Sequence, residues 1–457
     1  SNIGEVEPAK MVNKQPLILV SLLLLSGLAG LSLLSGWWSI VRSENLVNRT
    51  DNPRRAINNL YVKRGWLLDR NNQALALTTG TPGKYARVVT YPSLGATVGY
   101  LSPTYGQAGL EASLDPYLRG LKGNTSSSIW YNNLIYGSPP PGLDIRLSLD
   151  LELQNEADDL LRGHKGAAVM LNAASGELLV LASHPYFDPN QIDSNWQMWI
   201  NEVDAPLVNR ATQSKYPLGT AQSVFMLAAI DNLDSLPPPP DQLTAAVGNS
   251  ILTCASPFTE EISWGRALVN GCPGPVLELS KQFSASELIA LYNTLGFTTS
   301  TSSLPLLQAD PDIIQLLDEP DKAALGIDQI KVTPLQVVIA AAAISADGKK
   351  PTPVITQAVK TTTQGWVIFP RSSSTAIIKT DNARETANFL SITGKPIWEI
   401  TGLSFTDSLP VTWYIAGTTS DWKGTPLAVV VLLEEDSPDT ARLIGDGLMN
   451  AVLKQAE

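Results

Sequence analysis

The sequence is poor in the residues that mark several kinds of chemistry. Its 457 residues hold two cysteines, Cys254 and Cys272, and two histidines, His164 and His184. Two cysteines supply neither a zinc cluster nor a disulfide framework. If the body is exported, one bridge between them fits the count, and the sequence does not decide it. Neither histidine stands in a motif, so both read as surface or turn residues. There is no Gly-rich phosphate loop and no His/Cys cluster, so no metal or organic cofactor is implied. No internal repeat appears. Positive charge is short as well: 32 Lys and Arg stand against 43 Asp and Glu, a net charge of −11. That balance argues against nucleic acid as a partner. Charged residues make up 16% and apolar ones 44%, as in a folded chain and not a disordered one. The length allows two soluble domains plus an anchor.

What is there begins with an apolar run, Pro16 to Ile40, that carries no charge. At about 1.5 Å per residue it spans a bilayer core. It is too long for a signal-peptide core and no small-residue cleavage site follows, so residues 15–41 are expected to form an uncleaved signal anchor. Trp37 and Trp38 suit the membrane interface. Ser1 to Lys10 precedes the first Met, and residues 1–14 read as a cytoplasmic tail, native or in part an appended tag. Lys10 and Lys14 lie before the span, whereas Arg42, Arg49, Arg54 and Arg55 lie after it. Charge alone would keep the body inside the cell.

Downstream, Arg64, Asp69 and Arg70 flank a short apolar run and read as a structural salt-bridge knot. Ser138 to Pro141 is a linker by composition. The following segment alternates apolar and polar from Leu143 to Asp150, then reads as a helix over Leu151–Leu161. Gly166–Leu171 and Leu178–Ser183 read as a hairpin of two buried strands. Leu236–Pro240 and Thr298–Ser303 read as loops. An Ala-rich helix runs through Ile344 and stops at Gly348. Val411–Ala416 and Leu427–Leu433 read as adjacent strands, and a last helix starts near Ser437 with Pro438 in its first turn.

The organising stretch is Asn209-Arg210-Ala211 followed by Tyr216-Pro217-Leu218-Gly219-Thr220-Ala221-Gln222-Ser223. It reads as a loop, a Pro/Gly turn and a helix with Thr220 at the N-cap and Val224–Ile230 as the apolar body. This stretch resembles "NRA…YPPGSxxK" of the class B penicillin-binding proteins, the serine acyltransferases that cross-link peptidoglycan. "Arg64-Gly65-Trp66-Leu67-Leu68-Asp69-Arg70-Asn71" and "Gly109-Leu110-Glu111" with Leu118-Arg119-Gly120 are similar to that family's pedestal motifs. The run Leu147–Asn190 and "Gly326-Ile327-Asp328…Val332-Thr333-Pro334-Leu335-Gln336" are similar to its frame motifs.

The resemblance covers most of residues 60–455. It implies a mixed α/β (α+β) chain: an N-terminal transmembrane helix, a small β-rich pedestal at 42–141, and a transpeptidase-like domain at 142–457. That domain would hold a mainly antiparallel sheet flanked by helices. The resemblance also implies a single pass in the plasma membrane with the large domain outside the cell, against the charge count. Long domains translocate largely regardless of charge. Partners implied are the membrane, a polytopic (SEDS-type) glycan polymerase that uses lipid II, and peptidoglycan peptide.

The chemistry of that family does not carry over residue by residue. A serine acyltransferase needs a nucleophile, a base and oxyanion donors. Thr220 stands at the nucleophile position and Ser223 at the position of the lysine base, where a hydroxyl cannot act as a base at neutral pH. In the run Ala267-Leu268-Val269-Asn270-Gly271-Cys272-Pro273, Gly271 and Pro273 replace the Ser and Asn of Ser-x-Asn. Ile400 replaces the Lys of Lys-Thr-Gly, with Thr401, Gly402 and Leu403 after it. Thr401 is a candidate to hold a substrate carboxylate. The backbone N–H groups of residues 220 and 403 are candidates for a vestigial oxyanion hole. Lys215 would have to fold back to serve as base. A second Ser-x-x-Lys, Ser420 to Lys423, falls in a turn between strands. The expectation is a pseudo-transpeptidase. The alternatives are an active enzyme with Thr220 as nucleophile and a non-covalent muropeptide- or penicillin-binding module.

Overall fold

The computed structural model describes residues 15–40, 60–136, 140–247, 250–257, 261–300, 304–312, 323–327, 330–405 and 409–455. The chain forms two compact units, Ser1–Asn58 and Asn59–Glu457. In the first, helix α1 (Gln15–Ile40) carries no acidic residue in its first turn and no basic one in its last. Its segment Ile18–Trp37 is long and apolar enough to cross a membrane. The flanking charges Lys10, Lys14, Arg42, Arg49, Arg54 and Arg55 lie outside the described residues.

The second unit is built on two large sheets. Their strands are, in chain order, β1 (Leu67–Leu68), β2 (Ala74–Thr79), β3 (Ala86–Val89), β4 (Ile145–Leu147), β5 (Gly166–Asn172), β6 (Leu178–His184), β7 (Thr356–Thr361), β8 (Gly365–Ile368), β9 (Ile397–Phe405), β10 (Pro410–Thr418) and β11 (Leu427–Leu433). Among its helices are α2 (Ser126–Tyr136), α3 (Leu151–Leu160), α4 (Ser223–Ala228), α5 (Trp264–Val269), α6 (Pro273–Ser280), α7 (Pro334–Ser345) and α8 (Pro438–Gln455).

One sheet has the order β9-β10-β11-β5-β6, and every neighbouring pair in it is antiparallel. Period-two alternation of its apolar strands feeds two cores. Val430, Ile415 and Val169 join the core that contains α7. Val429, Val431 and Met170 join the one that contains α3 and α8 residues such as Leu153 and Ile444. Helix α7 is apolar all round, as a helix buried on every side must be, and residues Pro334–Ile344 are all buried. Thr333 caps it in a reciprocal box with Gln336. At the chain's end, Pro438 opens α8 and the preceding Ser437 hydroxyl bonds Thr440 Oγ1 at 2.6 Å.

The other sheet has the order β8-β7-β4-β1-β2-β3. Here β1 runs parallel to β4, with Leu67 opposite Ile145. The sheet therefore takes strands from both sides of the expected boundary between 141 and 142, and residues 59–457 pack as one body. Residues 138 and 139 of the expected linker lie outside the described residues. The expected salt-bridge knot has acidic partners far along the chain. Arg64 bonds Glu111 Oε2 at 2.9 Å and pairs with Asp115, and Arg87 bonds Glu111 Oε1 at 2.6 Å. Asp69 instead closes a turn, accepting the N–H groups of Asn71 and Gln73.

His184 departs from the surface-or-turn reading. It ends the buried strand β6, and its Nε2 lies 2.9 Å from Asp158 Oδ1 on α3. A buried imidazole needs such a partner, and no motif announces one 26 positions away. His164 is partly exposed and bonds Glu435 through Nδ1 at 2.7 Å.

Candidate active site

The site is assembled from the Asn209–Arg210–Ala211 stretch upward. Asn209 Oδ1 accepts the Ala211 N–H at 3.0 Å and closes a tight turn. Arg210 reaches Glu434, just past the end of β11, with Nε to Oε1 at 2.8 Å. Tyr216 donates its hydroxyl to the same carboxylate oxygen at 2.7 Å. Burial and the Glu434 charge push the Tyr216 phenol above its ordinary value. Burial opposes ionisation of Glu434, but the Tyr216 hydrogen bond and the Arg210 charge hold its carboxyl below the usual range. Trp413 on β10 then donates Nε1–H to the Pro217 carbonyl at 2.8 Å. The Pro/Gly turn is thus pinned to the central sheet at two places.

Beyond it, Gly219–Gln222 forms a 3₁₀ turn before α4 begins at Ser223. Thr220 therefore lies inside the turn and does not cap the helix, a correction to the sequence reading. Gly219 has φ +60°, and a Cβ there would lie 2.0 Å from the Leu403 carbonyl oxygen. That close approach of turn and strand β9 is what places Thr220. Its Oγ1 accepts the Leu403 N–H at 3.3 Å. Gln222 locks the turn from behind: its amide donates to the Ala323 carbonyl at 2.6 Å, and Tyr292 donates to its Oε1 at 2.8 Å.

The three degenerate motifs converge. A Cβ built on Gly271 would lie 3.0 Å from Thr220 Oγ1 and 2.4 Å from the Thr401 carbonyl oxygen. Gly402 lies so close to Ala221 that a Cβ there would be 2.3 Å from the Ala221 nitrogen. Position 271 thus faces position 220 from one side and β9 faces it from the other. Cys272 is joined to Cys254 by a disulfide, which lays the segment Cys254–Ser256 across Gly271. The Ser256 N–H bonds the Asn270 carbonyl at 3.2 Å. Pro273 opens helix α6 at a position where no N–H is needed.

The side chains at these positions offer little chemistry. Ser223 is fully buried and donates its hydroxyl back to the Thr220 carbonyl at 2.8 Å. Ile400 is fully buried in the main core. The Thr401 hydroxyl turns away from Thr220 toward α8 and accepts from Arg442 Nη2 at 3.2 Å. Its expected role as a carboxylate holder is replaced by a structural bond, because alternate residues of β9 face opposite sides of the sheet. Lys215 pairs with Asp312 instead of folding back. Ser420–Lys423 sits in the turn between β10 and β11. Thr220 itself is only 4% exposed. Cavities of about 680, 240 and 270 Å³ lie elsewhere in the unit. Sequence reasoning missed Glu434 and the covering segment at Ala255–Ser256. A charged pair directly after a buried strand was the signal for the first, and Cys254 was the signal for the second.

An antiparallel sheet with a turn-and-helix nucleophile position, a facing loop and an edge strand is the frame of an acyl-enzyme transpeptidase. The family model of the penicillin-binding protein transpeptidase domain matches residues 166–395, half of the chain, and the chain belongs to that family as a class B member. It is similar to the peptidoglycan D,D-transpeptidase PbpA of Mycolicibacterium smegmatis, 25% identical over 446 residues, covering 86% of this chain and 88% of that protein. A likeness to the PbpA of Mycobacterium tuberculosis is also 25% identical, over 67% of this chain and 68% of that protein. Among solved structures, the fold matches penicillin-binding protein A of M. tuberculosis in its imipenem acyl-enzyme complex. The TM-score is 0.76 at 23% identity, over 87% of this chain and all of that one.

Proposed function

We propose that the protein is a membrane-tethered pseudo-transpeptidase that serves peptidoglycan synthesis as a scaffold or activator beside a polytopic lipid II glycan polymerase. The observation that carries the inactivity is the surroundings of Thr220. Among the described residues its hydroxyl meets a backbone N–H at 3.3 Å and the bare Gly271, with Ser223 where the base would stand. A threonine hydroxyl stays protonated without a base, and its extra methyl crowds a site this closed. Losing both nucleophile and base costs on the order of 10⁶ in rate in serine acyl-transfer enzymes. The scaffold role rests on family analogy: the core and the reacting groups are separately specified, so the fold survives loss of chemistry.

The test is incubation of the full chain in detergent with a fluorescent penicillin, followed by a denaturing gel. No covalent band is expected. A band that disappears in Thr220→Ala would refute the proposal and establish Thr220 as a variant nucleophile. Saturable fluorescence without a covalent band would point to a non-covalent binding module. Co-purification with a glycan polymerase, dependent on residues 15–41, supports the scaffold role.

A further inference from the structure

Helix α2 (Ser126–Tyr136) carries no charged residue. Four of its apolar side chains, Trp130, Tyr131, Leu134 and Ile135, fall on one face at i, i+1, i+4 and i+5 and are each more than half exposed, while the exposed Tyr136 lies on the other side of the helix. Such a face on a water-soluble body wants a cover. We propose that α2 lies in the headgroup region of an anionic lipid bilayer and is a second membrane contact beside α1. The proposal rests on reading α1 as a membrane anchor.

Three observations select lipid as the cover. First, composition: a short helix of Trp, Tyr, Leu and Ile with Ser and Asn, free of charge, matches the aromatic belts where amphipathic rings sit at headgroup level. Second, charge. Residues 60–136 hold seven Lys and Arg against three Asp and Glu, in a chain whose net charge is −11. All three acidic residues, Asp69, Glu111 and Asp115, are buried. The exposed charges of this segment are Lys63, Lys84 and Lys122. The rest of the chain is acidic and would be repelled by anionic headgroups, whereas this end would be drawn to them. Third, position. The described part of the unit begins at residue 60, and the Leu60 carbonyl accepts the Gly83 and Tyr85 N–H groups around Lys84. The Lys63 carbonyl accepts the Gly142 N–H, and the Gly65 N–H donates to Leu118, close to Lys122 and the root of α2. The three lysines and the aromatic helix thus gather where the chain enters the unit. Only residues 41–59 separate that entry from α1, a reach of at most about 65 Å.

The experiment uses the full chain in nanodiscs of phosphatidylcholine with or without phosphatidylglycerol. Among the described residues both cysteines are disulfide-bonded, so an introduced cysteine takes a nitroxide label selectively. Labels go on Ile135→Cys in α2, Leu28→Cys in α1 and the exposed Asp381→Cys as an aqueous reference. Collision with oxygen and with a water-soluble nickel complex reports depth. The expected result is lipid-type accessibility at positions 28 and 135 and water-type accessibility at 381. Changing Lys63, Lys84 and Lys122 to Gln weakens docking roughly 100-fold, about fivefold per lysine, in anionic discs. An aqueous label at 135 with a lipid-buried label at 28 overturns the proposal. An aqueous label at 28 overturns the anchor reading itself. A label at 135 shielded from both colliders indicates cover by protein, a second copy or a partner, and also overturns it. Lipid depth at 135 that ignores both phosphatidylglycerol and the lysine changes overturns the choice of anionic lipid.

Discussion

Gly271→Ala tests whether the degenerate motifs truly face one another. Gly271 has φ +63°, in the left-handed region, and its added Cβ would lie 2.4 Å from the Thr401 carbonyl oxygen, 3.0 Å from Thr220 Oγ1 and 3.1 Å from Ala255 Cβ. The left-handed backbone alone costs an alanine about 1–2 kcal/mol. Overpacking against a fixed strand adds about 1–3 kcal/mol more. Gly163 supplies the control, because it has φ +85° and nothing within 4 Å of an added Cβ. Gly163→Ala should therefore cost only the backbone share, about 1–2 kcal/mol. The assay is urea denaturation of the full chain in detergent, followed by tryptophan fluorescence, with the midpoint shift read at unchanged slope. The expected order is wild type, then Gly163→Ala, then Gly271→Ala, the last pair separated by at least about 1 kcal/mol. Equal costs for the two variants would refute the convergence of positions 220, 271 and 401. The same crowding means that serine cannot simply be restored at 271, since its Cβ meets the same atoms.

Two further outcomes follow from paired charge. Arg64→Met removes the cation shared by Glu111 and Asp115 and leaves two buried carboxylates short of a partner. A loss of about 3–5 kcal/mol in the same urea assay is expected, and a loss below about 1 kcal/mol would show that Arg87 and Arg119 suffice. Glu434 has its folded-state carboxyl held below the ordinary 4.5, so it contributes stability that is present above that value and lost as pH falls through the lower folded one. Glu434→Gln should lower the melting temperature at pH 7, and the gap from wild type should shrink on acidification below about 4.5. A gap that widens in acid would contradict this sign.

Much of the frame was legible in the sequence because local signals and the fold agree. Leu427–Leu433 is an unbroken apolar strand, and it sits at the centre of the five-stranded sheet. Leu151–Leu160 follows a capping Asp150, and the Ala-rich helix opens on a capping Thr333. What stayed hidden depends on distant partners. His184 reads as a turn residue because Asp158, which makes its burial tolerable, is on another element. Thr220 reads as an N-cap because helix signals precede any knowledge that the Leu403 N–H would claim its hydroxyl. The side on which Thr401 faces is set by the register of β9, with Thr401 opposite Tyr414, and composition carries no trace of that choice.

The parallel pairing of Leu67–Leu68 with Ile145–Arg146 has a mechanical meaning. A pull or twist delivered where the chain enters near residue 60 reaches a ladder of backbone hydrogen bonds that also binds β7 and β8. The front of the body is thus hydrogen-bonded into the same sheet as the segments that follow residue 142, so β1 cannot swing free of them without breaking that ladder.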